Sequence, residues 1–184
     1  MLAGSAGAGS AVQAFLNSFE AVPPVAFIYV QHYDPKQQSQ LQQLTAENPA
    51  FTMVLGDAEH TLSPGQLIII PPRCKVRIDS SGRVCSTEIP WETEHTPDIE
   101  ELLIIFSAAN LPGAGVIFFS GMGRDGTNVL NVLDAAGTRI WAQAPQSAIC
   151  SSMPQAAIDT GLVHRVDTPQ ALANEIVKLY LPKY

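Results

Sequence analysis

Three short, continuously apolar runs constrain the fold of this chain more than any other feature. They span residues 25–30, 67–70 and 116–119, and they are rich in β-branched and aromatic side chains. Runs of this kind are typical of strands that are covered on both faces of a sheet. We therefore predict that these three segments are central, parallel strands.

Segments with helical periodicity alternate with these runs, and a further strand is expected at residues 139–142. Gly137 follows one of the helical segments in the position that glycine favours just past a helix end. The alternation predicts an α/β fold with a doubly wound, mainly parallel sheet and flanking helices. The predicted helices span residues 11–19, 37–46, 99–108, 129–136, 153–159 and 169–181.

Residues 63–94 depart from this alternation, because turn residues separate short strands there. We predict a β-hairpin excursion, either an insertion or an edge structure. The 184 residues, 46% of them hydrophobic, predict a single domain spanning residues 1–184. Only residues 1–3 precede the first glycine-rich turn, so either sequence is missing upstream, including another domain, or the first strand is naturally short.

Charge and composition exclude several classes of partner. A net charge of -7 without a cluster of Lys or Arg argues against nucleic-acid binding and against docking on an anionic membrane. No apolar run is long enough to insert into a membrane, and no signal peptide is recognisable. Cys74, Cys85 and Cys150 lack metal-type spacing, so we expect reduced structural thiols, no metal and a cytoplasmic protein.

A glycine-rich turn at residues 4–9 allows two kinds of site. Its N–H groups suit a phosphate or a developing oxyanion. The second predicted strand ends in His32, where a dinucleotide site would have an acidic residue, and this favours a nucleophile and base. Ser5 is the candidate nucleophile, although a helix cap is the commoner role for such a serine and Ser10 is the more natural cap.

Asp125 follows the third apolar run in a turn that contains three glycines. Its simplest role is to cap the helix that follows it. If the strands are parallel, however, their carboxyl ends meet at one edge, and Ser5, His32 and Asp125 converge there as a hydrolytic triad. Turn residues of the same edge are expected to line the cleft and its oxyanion site. These are Ala6, Met122 and Gly123.

The sequence resembles the catalytic domain of the CheB-type protein-glutamate methylesterases over nearly its whole length. Residues 121–126 are similar to the GMGxDG turn of that family, and Gln31-His32 to its QH pair. Further similar segments are 62–65, 68–72, 95–98, 142–143 and 153–158. His95 is also expected to line the cleft, because of its place in the Thr96-Pro97 turn.

The family serine lies in a GASxGG motif. An ungapped count back from His32 reaches Ala6, whereas matching the following helix reaches Ser5. We adopt Ser5, because a one-residue insertion in a loop costs less than shifting the buried face of a helix. The chain departs from the family pattern at Ala8, Thr96 and Asp98.

The resemblance implies hydrolysis of glutamate γ-methyl esters on methyl-accepting chemoreceptors, often with deamidation of glutamine, and no cofactor or metal. It also implies control by an upstream receiver domain, which these 184 residues do not contain. The departures from the pattern favour an alternative: a binding or regulatory module with weak or no catalysis. A phosphate or nucleotide binder that uses the glycine-rich turn is the third reading.

Overall fold

The computed structural model describes residues 1–32 and 48–180. Its centre is a seven-stranded sheet in the order β10-β9-β8-β1-β2-β5-β3, and every neighbouring pair is parallel. The helix predicted at residues 37–46 lies outside the described residues. The strands are β1 Leu2–Gly4, β2 Phe27–Gln31, β3 Thr52–Leu55, β5 Gln66–Ile69, β8 Gly115–Phe118, β9 Arg139–Gln143 and β10 Arg165–Asp167.

Successive residues of the central strands enter two different cores. In β2, Phe27 and Tyr29 belong to one cluster of buried apolar residues, whereas Ile28 and Val30 belong to the other. Both faces of the strand are therefore covered, since neighbouring side chains point to opposite faces of a sheet. This explains why the strand reads as a continuous apolar run, and it confirms the predicted fold class.

Helices cover both faces of the sheet. The face that carries Tyr29 is covered by α1 and α5, and the other face by α2, α3 and α4. Here α1 begins three residues earlier than predicted, because Gly7 takes a left-handed φ of 77° and starts the helix at Ala8. No helix within residues 1–32 and 48–180 is both long and apolar enough to cross a membrane. The helices are α1 Ala8–Leu16, α2 Ile99–Ala108, α3 Leu130–Ala135, α4 Ser152–Asp159 and α5 Pro169–Tyr180.

A small antiparallel sheet forms beside the main one. It contains β4 His60–Thr61, β6 Val76–Ile78 and β7 Arg83–Ser86, in the order β4-β7-β6. The hairpin of β6 and β7 is the excursion predicted between residues 63 and 94. Two strands of the main sheet, β3 and β10, were not predicted; both lie at its edges, where β3 is partly exposed and β10 has only three residues.

The order of the strands reverses beside β1. From β1 the chain proceeds outward through β2 on one side, and later through β8, β9 and β10 on the other. The helix after β1 packs on one face and the helix after β8 on the opposite face. Such a switch point leaves a crevice at the carboxyl ends of the strands, the usual place for a site in an open α/β sheet.

Candidate active site

His32 and Asp125 meet at this switch point. His32 follows β2, Asp125 lies in the turn after β8, and their Nε2 and Oδ2 atoms are 2.8 Å apart although 93 residues separate them in sequence. Both side chains are mostly shielded from water. The structure thus brings together two of the three residues predicted to form the triad.

The Asp125 carboxylate is held from a second direction by the start of α2. Its Oδ2 accepts a hydrogen bond from the N–H of Ile99 and its Oδ1 accepts one from the N–H of Glu100, both at 3.2 Å. Asp125 therefore binds the amino end of α2, which precedes it in sequence. The predicted alternative, a cap for the following helix, is wrong, because the 3₁₀ turn Thr127–Val129 starts at Gly126 without a side-chain cap.

Two opposing effects act on the pKa of Asp125. Burial alone would raise it, since a carboxylate loses hydration when it leaves water. The hydrogen bond and charge of His32, together with the N–H groups of Ile99 and Glu100, outweigh that effect and hold the pKa below its usual value. The carboxylate is therefore ionised at neutral pH and can stabilise a positive imidazolium.

Ser5 is the first residue after β1, the strand next to β2. Its backbone N–H donates to the carbonyl of Ser120, and the N–H of His32 donates to the carbonyl of Gly4. A β-carbon added at Gly121 would lie 3.0 Å from the Ser5 Cβ, so the serine side chain faces the turn that carries Asp125. Within the described residues, the Ser5 hydroxyl makes no hydrogen bond to His32 or to any other group.

Two candidate oxyanion donors border Ser5. The backbone N–H groups of Ala6 and Met122 have no hydrogen-bond acceptor among the described residues. Ala6 directs its carbonyl, not its side chain, into the structure, where it accepts a hydrogen bond from the Ser120 hydroxyl. Gly123, with a left-handed φ of 80°, continues the turn towards Asp125. The edge therefore combines an imidazole, a carboxylate, a hydroxyl and unpaired N–H donors.

The comparisons with known proteins agree with this geometry. The sequence model of the CheB methylesterase family matches residues 1–176. The chain belongs to the CheB methylesterase family. The crystal structure of the Thermotoga maritima CheB methylesterase catalytic domain superposes with a TM-score of 0.81, at 18% identity, over 97% of this chain and 96% of that one. At that identity the likeness establishes the fold.

Curated relatives of this chain are named protein-glutamate methylesterase/protein-glutamine glutaminase. A protein-glutamate methylesterase/protein-glutamine glutaminase from Carboxydothermus hydrogenoformans is 26% identical over 183 residues, which is 96% of this chain and 53% of the relative. One of the group 3 operon of Rhizobium meliloti is 27% identical over 179 residues, with 97% and 50% covered. The chain thus spans about half the length of these relatives.

Two buried polar residues that we did not single out from the sequence hold the loops of this CheB-like site together. The Ser120 hydroxyl donates to the carbonyl of Ala6 and accepts from the N–H of Cys150. The Ser120 N–H donates to Gln143, whose side-chain amide donates in turn to the carbonyl of Ser147. In the sequence, Ser120 and Gln143 directly follow the predicted strands 116–119 and 139–142, and that position could have identified them.

The remaining sequence candidates lie around the same edge. The His95 ring is exposed, and its centre is 5.7 Å from that of His32, so this residue does border the pair. Ser10 is not the cap of α1, since Gly7 takes the N-cap position and the Ser10 hydroxyl donates to the Gly7 carbonyl. The three cysteines are free thiols.

Ala8 and Asp98, two of the residues that depart from the family pattern, have structural roles. A β-carbon at Gly4 would lie 2.3 Å from the Ala8 Cβ, so Ala8 occupies space that only a glycine at position 4 leaves open. Asp98 caps α2 by accepting a hydrogen bond from the N–H of Glu101 at 2.7 Å. Neither residue displaces the His32–Asp125 pair.

Proposed function

We propose that this chain hydrolyses glutamate γ-methyl esters on methyl-accepting chemoreceptors or similar methylated proteins, with Ser5 as nucleophile, His32 as base and Asp125 as its partner. The observation that carries the proposal is the 2.8 Å contact between His32 and Asp125 at the switch point, beside the residue that follows β1. The names of the curated relatives support the choice of substrate. Substrate and partner are part of the proposal, because the chain matches only about half of each relative.

The 2.8 Å contact with Asp125 supports different tasks for the two nitrogens of His32. Because Asp125 accepts from Nε2–H, the neutral ring carries its proton there, and the lone pair of Nδ1 is available to the Ser5 hydroxyl. This is the reverse of the usual serine-protease arrangement, in which the aspartate binds Nδ1. Ionised Asp125 then stabilises the imidazolium that forms.

The reaction proceeds in two steps. The Ser5 oxygen attacks the ester carbonyl while its proton moves to His32, and the N–H groups of Ala6 and Met122 hold the negative oxygen. Collapse of this intermediate breaks the bond to the methoxy group, which leaves as methanol with the proton from His32. Water, activated by the same imidazole, then releases the glutamate carboxylate and restores Ser5. Attack on a glutamine amide would release ammonia in the same way.

Replacing the nucleophile tests the proposal. Ser5→Ala should reduce methanol release from a methylated chemoreceptor fragment by at least about 10³-fold, because no acyl-enzyme can form. Ser18→Ala is the matched control, since this hydroxyl only donates to the carbonyl of Ala14 at the end of α1. Release that survives in Ser5→Ala would assign the nucleophile to another residue.

A regulatory or binding module is the second candidate. The observation that favours it is the Ser5 hydroxyl, which makes no hydrogen bond to His32 within the described part of the chain. A serine-directed fluorophosphonate separates the two candidates, because only an activated hydroxyl reacts with it. Labelling of Ser5, located by mass spectrometry and lost in His32→Gln, supports the hydrolase; an unlabelled protein supports the module.

A cytoplasmic location and control by an upstream receiver domain belong to the same proposal. The location is the expectation drawn from the cysteines, and the receiver control is implied by the resemblance to the family. The test of control is a comparison of methanol release by this chain alone and by the same chain joined to a receiver domain.

A further inference from the structure

The two most exposed large apolar side chains in the described ranges both lie at the edge that carries Ser5. Ile149 is 77% exposed and Met122 is 66% exposed. Ile149 follows β9 and Met122 follows β8, so both come from loops at the carboxyl ends of the strands. Exposed apolar side chains that are concentrated at one place mark a contact surface more often than scattered ones do.

Ile149 is held beside the serine turn, which is the glycine-rich turn at residues 4–9 that carries Ser5. A β-carbon added at Gly7, two residues after Ser5, would lie 2.8 Å from the Ile149 Cβ. The loop is fixed before Ile149 by the bond from Gln143 to Ser147 and after it by the bond from Cys150 to Ser120. Its exposure is therefore built into the loop and is not the result of a frayed segment.

A groove of about 250 Å³ opens next to Ile149, between α1 and the start of α5. It is smaller than the roughly 300–1,000 Å³ of sites that enclose a separate small molecule, so its size suits a single side chain. Small residues of α1 make room for it, and it begins at the serine turn. Its lining combines Gly7, Ala11, Ala14, Ile149 and Pro169 with five polar residues, among them Gln143 and Thr168.

We propose that Ile149 and this groove bind an apolar side chain of the protein substrate that lies within a few residues of the glutamyl ester. This inference rests on the proposed function. Three carbon–carbon bonds place the ester carbon only about 4 Å from its own Cα, so the substrate backbone must come down to this edge for Ser5 to reach the ester. Neighbouring substrate residues then meet the side chains that protrude beside Ser5.

The contact distinguishes a protein ester from a small one. A free glutamate γ-methyl ester reaches Ser5 without touching Ile149, whereas a protein segment also buries its flanking side chain. Binding energy from such a remote group raises kcat/KM for the substrate that carries it and leaves the small substrate unaffected. Ile149 is thus a specificity-determining residue.

The experiment compares two substrates on the same variants. Ile149→Ser should lower kcat/KM for a methylated chemoreceptor fragment about tenfold, the usual effect of removing a buried apolar contact, and leave hydrolysis of glutamate γ-methyl ester within about twofold. Ile149→Leu should retain activity on both. Leu179→Ser is the matched control, because Leu179 is exposed next to Tyr180, whose hydroxyl donates to Gly113 at the amino edge of the sheet.

A second variant blocks the groove and leaves Ile149 in place. Ala14→Phe should cause the same selective loss on the protein substrate. Unchanged protein hydrolysis in both Ile149→Ser and Ala14→Phe, or an equal loss on both substrates, overturns the inference and leaves the proposed function intact. A wild-type protein that hydrolyses neither substrate overturns the proposed function and this inference with it.

Discussion

Residues 1–32 and 48–180 contain two His–Asp pairs, and one of them lies at the candidate active site. The Nε2 of His32 and the Oδ2 of Asp125 are 2.8 Å apart, and the two side chains are 14% and 28% exposed. The Nε2 of His164 and the Oδ1 of Asp134 are 3.4 Å apart, and these side chains are 48% and 44% exposed. The same two residue types therefore occur in a shielded and in a solvated setting.

The surroundings of the carboxylates differ even more than the distances. Asp125 accepts two further hydrogen bonds from the N–H groups that begin α2, so its orientation is determined from two sides. Asp134 lies on α3, and the firm contact of the second pair is made by His164, whose Nδ1 accepts from the N–H of Ile140 at 3.0 Å. An imidazole and a carboxylate become useful for catalysis when their relative position is enforced and water is partly excluded.

The largest expected difference between the pairs is catalytic. Asp125→Asn should lower methyl-ester hydrolysis on the order of 10³- to 10⁴-fold, because the amide cannot stabilise the imidazolium and favours the wrong tautomer. Asp134→Asn should leave methyl-ester hydrolysis within about twofold of the wild-type rate. Methanol release under identical conditions measures both, and equal losses in the two variants would show that the comparison has no functional meaning.

The second difference concerns stability. His164→Ala leaves the buried N–H of Ile140 without its acceptor and should lower the free energy of unfolding by about 1–3 kcal/mol. Asp134→Asn changes only the solvated contact with His164 and should lower the free energy of unfolding by no more than about 1 kcal/mol. Urea denaturation of both variants gives the two values. A larger loss in Asp134→Asn than in His164→Ala would mean that the surface pair, not the backbone contact, stabilises this region.

The smallest expected effect is the pH dependence of the first pair. The pKa of Asp125 is lower in the folded chain than in the unfolded chain, so the ionised carboxylate stabilises the fold. That contribution is fully present above the unfolded value of about 3.9 and is lost as the pH falls through the lower, folded value. The difference in unfolding free energy between wild type and Asp125→Asn should therefore be constant near neutral pH and shrink below about pH 4.

Denaturation curves of both proteins between about pH 3 and pH 7 provide this measurement. If the difference in unfolding free energy between wild type and Asp125→Asn widened as the pH fell, it would contradict the direction assigned to the Asp125 pKa. Asp134→Asn, measured over the same range, controls for the general effect of removing one carboxylate.

The main elements were predictable because the central strands are buried on both faces and the helices on one. The predicted run 67–70 and the observed β5 at Gln66–Ile69 differ by one residue, and α2 has the predicted bounds. The edge strands β3 and β10 were missed. Residues 165–167 of β10 are too few to show either an apolar run or an alternation, whereas the short apolar run 53–55 of β3 is a signal that the prediction did not include.

The sequence by itself determined the α/β class and the positions of His32 and Asp125 at the ends of strands, because both follow from local patterns of apolar and turn residues. Only the tertiary structure decided that Asp125 binds the start of α2, that Ser120 and Gln143 join the loops, and that Ile149 stays exposed beside the serine turn. Each of these depends on contacts between distant segments. Such contacts are set by how the elements pack, and no local pattern records them.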